Sequence, residues 1–178
     1  MKKITLPKLT LVIGGAASGK SRFAENLIVS CDRPRAYIAT AQAFDDEMAA
    51  KIAKHKTQRG ANWDSYEEPL APWNALREID ASNVVLLDCA TLWLSNILLG
   101  EHDLTTVKAQ LFASLKEFRG SIIVVTNEVG QGVVPDNIMA RAFRQQQGEL
   151  NQQLAAIADL VVLVTAGLPL ALKGQLPQ

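Results

Sequence analysis

Gly14-Gly15-Ala16-Ala17-Ser18-Gly19-Lys20-Ser21 follows directly on the apolar run Leu9-Thr10-Leu11-Val12-Ile13. The octapeptide fits G-x-x-x-x-G-K-[ST] in full. It stands where a buried strand would give way to a glycine-rich turn opening a helix, the setting a phosphate-binding P-loop requires. Glycines let successive backbone N–H groups converge on phosphate oxygens, Lys20 can reach the terminal phosphates, and the Ser21 hydroxyl can hold Mg²⁺. The helix that follows, expected over about Gly19–Val29, would turn its positive end toward the same anion. A glycine turn between a strand and a helix could match the pattern without binding anything. With strand, loop and helix all in order, the stretch reads as a nucleoside triphosphate site.

The remaining composition narrows the class of protein. The 178 residues suffice for one domain with a sizeable core, so residues 1–178 are expected to form a single P-loop nucleotide-binding catalytic domain. Nearly half the residues are apolar and a fifth are charged, with 18 Lys+Arg against 18 Asp+Glu, so no net positive field recruits nucleic acid or an anionic membrane. Cys31 and Cys89 are too few for a disulfide framework and read as buried, reduced thiols. No stretch approaches the ~18 continuous apolar residues of a membrane span. The one apolar run near the start leads into the P-loop, so its removal as a signal peptide would destroy the site. A cytoplasmic location is expected.

Beyond the P-loop, apolar runs predict further strands at Arg35–Ala39, Asn83–Asp88, Ser121–Thr126 and Leu160–Thr165. Helical patterns fall between them at Asp45–Gln58, Pro72–Ile79, Thr91–Leu99, Leu104–Phe118 and Asn137–Ile157. Continuously apolar strands separated by helices predict an α/β, P-loop NTPase-like fold, a mostly parallel central sheet with helices on both faces. Ligands of such sheets lie beyond the carboxyl ends of the strands. The residues to watch are therefore 14–21, Thr40-Ala41-Gln42, Asp88-Cys89, 127–135 and Ala166-Gly167. Asp88 ends the run Val84-Val85-Leu86-Leu87, the position of a Walker-B partner for Mg²⁺, although strands also end in Asp for turn chemistry.

The segment 45–59 begins acidic and finishes basic, complementing a helix dipole. His55 lies seven residues after Met48 and three after Ile52, on the apolar face of that helix, with Arg59 at i+4. Beside cations at the edge of a nucleotide site the neutral, nucleophilic imidazole would be favoured. A histidine that caps helix carbonyls or fills the core would occupy the same position, and the residues alone leave both readings open.

Several blocks together resemble the bifunctional adenosylcobinamide kinase/adenosylcobinamide-phosphate guanylyltransferase family of cobalamin biosynthesis. Besides residues 14–21 they are Ala39-Thr40-Ala41-Gln42, Asp45-Asp46-Glu47-Met48, Ile52-Ala53-Lys54-His55-Lys56, and Trp63 with Glu67-Glu68-Pro69. Further on come Leu87-Asp88-Cys89-Ala90-Thr91-Leu92-Trp93-Leu94-Ser95-Asn96 and Thr126-Asn127-Glu128-Val129-Gly130-Gln131-Gly132-Val133-Val134-Pro135. Phe143-Arg144, Gly148 and Leu150-Asn151-Gln152 complete them. The resemblance implies two reactions: phosphorylation of adenosylcobinamide by ATP or GTP, then transfer of GMP from GTP to the resulting phosphate, giving adenosylcobinamide-GDP and pyrophosphate. It implies that the guanylyl group rests on His55. Nucleotide contacts would fall on Gly14, Gly15, Ala16, Ala17, Ser18, Gly19, Lys20, Ser21, Thr40, Ala41, Gln42, Lys56, Thr57, Gln58, Arg59, Glu67 and Asp88, with Ser21 and Asp88 on the metal. A homo-oligomer, a trimer by the family's tendency to small rings, is also implied.

The chain departs from the family pattern at Ala17, where an arginine is usual, at Gln145, where an aspartate is common, and at Lys54, where some relatives carry a second histidine. Glu128 is either a substrate-facing carboxylate or part of a turn with Asn127. Two other functions compete: a plain small-molecule P-loop kinase without a covalent step, and a GTP-dependent switch protein. The second would need an Asn/Thr-Lys-x-Asp segment to read guanine, and Thr126-Asn127-Glu128-Val129 lacks both its Lys and its Asp.

Overall fold

The computed structural model describes residues 4–43, 46, 50, 53, 57 and 62–177. The chain runs β1 (Leu9–Gly14), α1 (Lys20–Val29), β2 (Arg35–Ala39), β3 (Asp64–Glu67), α2 (Pro72–Glu78), β4 (Val84–Asp88), α3 (Ala90–Leu99) and α4 (Leu104–Glu117). It continues through β5 (Ser121–Asn127), α5 (Ile138–Ile157), β6 (Leu160–Thr165) and β7 (Leu168–Lys173). The strands form one sheet in the order β3-β2-β4-β5-β1-β6-β7, parallel throughout except for the antiparallel β6–β7 pair.

Burial explains this layout. Successive strand side chains point to opposite faces, so a strand covered on both sides must be apolar at every position. Leu9, Leu11 and Ile13 of β1, with Val85, Leu87, Ile122 and Val124, pack against residues of α2, α3, α4 and α5. Val12, with Leu86, Ile123, Val125 and Val162, packs against Ala24, Leu27 and Ile28 of α1 on the other face. Trp93 of α3 is fully buried and donates its indole N–H to the Leu70 carbonyl at 3.0 Å. The expected α/β architecture is present, with helices on both faces.

The sequence predicts five strands, and the structure adds β3 and β7 at the two edges. Asp64-Ser65-Tyr66-Glu67 has a single apolar side chain, so its pairing with β2 leaves no hydrophobic signature. β7 follows a two-residue turn in which Ala166 (φ 52°) and Gly167 (φ 78°) are both left-handed, as a tight hairpin requires. Ala-Gly is not the Asn-Gly pair that announces such turns, so nothing local marks this hairpin.

Of the helix expected at Asp45–Gln58, only Asp46, Ala50, Ala53 and Thr57 are described, and all four are helical and exposed. His55, Lys56, Gln58 and Arg59 lie outside the described residues. Among the described residues no helix is long and apolar enough to cross a membrane.

Candidate active site

The site is built at the carboxyl edge of the sheet, where β5 stands between β4 and β1. β1 ends at Gly14, where a Cβ would fall 2.4 Å from Ser18 Oγ and 2.6 Å from the Val164 carbonyl oxygen. No other residue lets the chain turn there. The loop is closed by Ser18 N–H donating to Gly15 O at 3.3 Å, and the β6–β7 turn is stitched to it by Gly167 N–H donating to Ser18 O at 2.9 Å. Gly19, at φ 91°, supplies the left-handed step into α1, and no side chain caps that helix. Its first N–H groups are therefore left for an anion. Ala17 is also left-handed, at φ 55°, a conformation that strains any residue with a Cβ. Gly15 and Ser18 are half-buried, Ala16 is exposed, and the Ser18 hydroxyl is buried without a hydrogen-bond partner among the described residues.

Lys20 starts α1 and folds back, its ammonium donating to the Gly15 carbonyl at 3.0 Å. Burial pulls its pKa down, while the nearby Cys89 and Asp88 pull the other way. Asp88, half-buried at the end of β4, accepts a hydrogen bond from the Tyr37 hydroxyl at 3.2 Å. Tyr37 in turn sits edge-on to Trp63, ring centroids 6.3 Å apart. The Asp88 carboxylate, at the end of β4, and the Lys20 ammonium, folded onto the loop that follows β1, are thus close enough to interact electrostatically. Ser21 lies in the first turn of α1 and is half-buried. Among the described residues no three His, Cys, Asp or Glu side chains gather as a closed metal cage would need. One hydroxyl and one carboxylate are, however, a suitable donor set for Mg²⁺, which takes its remaining oxygens from phosphates and water.

Of residues 40–42, Thr40 is fully buried. Its hydroxyl donates to Cys89 O at 2.7 Å and accepts from Cys89 N–H at 2.8 Å, while its carbonyl accepts from Asn96 Nδ2 at 2.8 Å. Its side chain ties β2 to β4, and only the half-buried Ala41 and Gln42 keep surface at this edge. Glu67 is exposed, and the register aligns it with Ala39, which is itself aligned with Asp88. Thr57 donates its hydroxyl to the Ala53 carbonyl at 3.0 Å.

A buried polar network at the end of β5 escapes sequence reasoning. Thr126 Oγ1 donates to Asn151 Oδ1 at 2.8 Å, and Gln147 Nε2 reaches both Asn151 Oδ1 (2.8 Å) and Thr126 Oγ1 (3.0 Å). Asn151 Nδ2 donates to Asn127 O at 3.0 Å, and Asn127 N–H donates to Thr91 Oγ1 at 2.7 Å. The next residue, Glu128, donates its backbone N–H to Gly14 O at 3.0 Å. Its carboxylate accepts from Gly130 N–H, so it closes its own turn. The signal in the sequence was a pair of amides, at positions 147 and 151, four residues apart on the buried face of an amphipathic helix.

Over residues 10–172 the chain matches the cobinamide kinase / cobinamide phosphate guanyltransferase family. It is 45% identical over 168 residues to the bifunctional adenosylcobalamin biosynthesis protein CobP of Pseudomonas aeruginosa, covering 93% of this chain and 97% of that protein. It is 40% identical over 186 residues to the bifunctional adenosylcobalamin biosynthesis protein CobU of Salmonella typhimurium, covering 93% and 99%. Among solved structures, the flagellar accessory protein FlaH of Methanocaldococcus jannaschii is similar at TM-score 0.53 and 13% identity, over 94% of this chain and 79% of that one. A prototypical ATPase from the type III secretion system of pathogenic bacteria is similar at TM-score 0.53 and 12% identity, over 92% and 56%. Those two likenesses speak for the fold alone, a P-loop NTPase. A phosphate loop facing Lys20 and Asp88, and a family match spanning nearly the whole chain, lead to one conclusion: this protein is a member of the cobinamide kinase / cobinamide phosphate guanyltransferase family of bifunctional enzymes.

Proposed function

We propose that this chain catalyses both family reactions at the carboxyl edge of its sheet, the second through a guanylylated His55. The convergence of residues 14–21, Lys20 and Asp88 around the end of β5 is the observation that carries the reading. In the first reaction the terminal hydroxyl of adenosylcobinamide attacks the γ-phosphorus of ATP or GTP; the bond to the β-phosphate oxygen breaks and the hydroxyl proton is lost. The loop amides and Lys20 hold the phosphates where charge gathers in the transition state. Ser21 and Asp88 would hold Mg²⁺, which when bound neutralises phosphate charge. In the second reaction a neutral imidazole nitrogen of His55 attacks the α-phosphorus of GTP and pyrophosphate leaves. A phosphate oxygen of adenosylcobinamide phosphate then displaces the imidazole, forming adenosylcobinamide-GDP. Each half is an in-line displacement between positioned groups.

Gly14, Gly15, Ala16, Ala17, Ser18 and Gly19 line the triphosphate in this reading, with Ala41, Gln42, Lys56, Thr57, Gln58 and Arg59 around the nucleotide and Thr40 bracing the edge beneath it. Glu67 accepts from the N1–H and N2–H₂ donors of guanine. The enzyme works in the cytoplasm as one catalytic domain and as a homo-oligomer.

The deciding experiment incubates the protein with GTP labelled on the α-phosphate, without corrinoid. Label is expected on the protein in an acid-labile, alkali-stable bond, with pyrophosphate released, and His55→Ala should abolish it while kinase activity persists. No label on the protein from α-labelled GTP, while γ-labelled GTP passes its label to added adenosylcobinamide, would instead make the protein a plain kinase.

A further inference from the structure

We propose that the side-chain amide of Asn127 orients the hydroxyl that attacks the γ-phosphorus in the first reaction, an inference that rests on the kinase reading above. Side chains of a strand alternate between the two faces of its sheet. In β5, Ile123 and Val125 pack on the α1 face, while Ile122 and Val124 pack on the other, where Thr126 meets Asn151 of α5. Asn127, two residues beyond Val125, therefore turns its side chain to the α1 face. By the same count Val12 and Leu86 put Gly14 and Asp88 on that face. β5 lies between β4 and β1, with Asn127 level with Gly14 and two residues past Val125, the partner of Asp88. The amide thus stands between the Asp88 carboxylate and the phosphate turn onto which Lys20 folds.

The backbone of Asn127 is fully committed: its N–H donates to Thr91 Oγ1 at 2.7 Å, and its carbonyl accepts from Asn151 Nδ2 at 3.0 Å. Its Oδ1, in contrast, is buried without a hydrogen-bond partner among the described residues. Leaving a buried acceptor unpaired is costly, and a ligand that brings a donor removes the cost. The chemistry of the loaded site limits what that donor is. Phosphate oxygens and the Asp88 carboxylate only accept, and the Lys20 ammonium is drawn to the terminal phosphates. The donor that the reaction itself delivers is the O–H of the attacking alcohol. Lys20 and Asp88 mark the terminal-phosphate end of the nucleotide, where that hydroxyl must arrive. Held through its hydrogen by Oδ1, the hydroxyl oxygen keeps a lone pair for the γ-phosphorus. The new P–O bond forms as the bond to the β-phosphate oxygen breaks, and the proton passes to an oxygen of the transferred phosphoryl group. The amide takes no proton; it positions, as side-chain amides that orient an attacking water do at other phosphoryl-transfer sites.

The test measures initial rates of adenosylcobinamide phosphorylation, together with the affinity for ATP in the absence of corrinoid. For Asn127→Ala, kcat is expected to fall about tenfold or more while the Kd for ATP moves less than about twofold. The bonds that fasten the strand end use the backbone of Asn127, so the variant keeps them. An unchanged kcat, or ATP affinity lost in step with kcat, overturns the assignment. Near-ultraviolet circular dichroism checks folding; should Asn127→Ala be misfolded, the same kcat-selective loss in Asn127→Ser decides, and its absence overturns the proposal. A wild-type protein that phosphorylates no corrinoid would instead sink the kinase reading and the assignment with it.

Discussion

Cys89 shows how strongly one position at this edge is constrained. It follows Asp88, caps α3 by accepting from Leu92 N–H at 3.5 Å, and its backbone exchanges two hydrogen bonds with the Thr40 hydroxyl. Burial first, and the Asp88 carboxylate second, push its thiol from the ordinary 9.0 up to about 12. The folded protein therefore keeps a proton that the unfolded chain releases above about pH 9, so this thiol makes stability fall as pH climbs from about 9 toward about 12. Below that window both states are protonated and it contributes no slope. Urea midpoints taken at about pH 8, 9.5 and 10.5, below and within that window, should decline less steeply for Cys89→Ala than for wild type. Equal slopes would mean that the native thiol ionises freely. Cys31, also pushed up by burial, supplies a similar component, which is unaltered in that comparison.

Among the elements, α5 is a lever that fixes the end of β5. Its Asn137 cap accepts from the N–H groups of Met139 and Ala140, and Lys173 of β7 donates to the Ala155 and Ala156 carbonyls near its other end. Between them Gln147 and Asn151 enter the core as amides: Asn151 is paired at both ends, while Gln147 Oε1 is buried without a partner among the described residues. Asn151→Leu keeps the branched shape, takes the donor from the Asn127 carbonyl, and removes the acceptor shared by the Thr126 hydroxyl and the Gln147 amide, which keep only their bond to each other and the contact with Thr91. It should lower stability by about 2 kcal/mol, the usual penalty for buried polar groups left unpaired. Because Asn127 and Glu128 lead to the phosphate turn, kinase activity should fall as well. Thermal melts and kinase rates on the same preparation check both; an unchanged melting point would show that the network is dispensable.

For the protein taken entire, Leu168, Leu170 and Leu172 form an exposed stripe on edge strand β7, 72%, 59% and 58% accessible, while Ala171 packs inward on the α1 face. If copies associate through this edge, Leu170→Lys should shift the mass measured by size-exclusion with light scattering to that of the monomer; a wild-type protein already monomeric would end the idea. Local signals in the chain were enough for the P-loop, the five inner strands and the helices on both faces: a glycine spacing, runs of apolar residues, a period of 3.6. They also carried the family, through motifs that need no coordinates. Long-range packing was needed for the polar edge strand β3, the Ala166-Gly167 hairpin, the inward role of Thr40, and the placing of Gln147 and Asn151 against β5. These depend on contacts between residues distant in the chain, where a polar side chain reads the same whether it faces water or closes a buried bond. A strand or turn made by pairing rather than by its own hydrophobic pattern leaves no mark until its partner is in place.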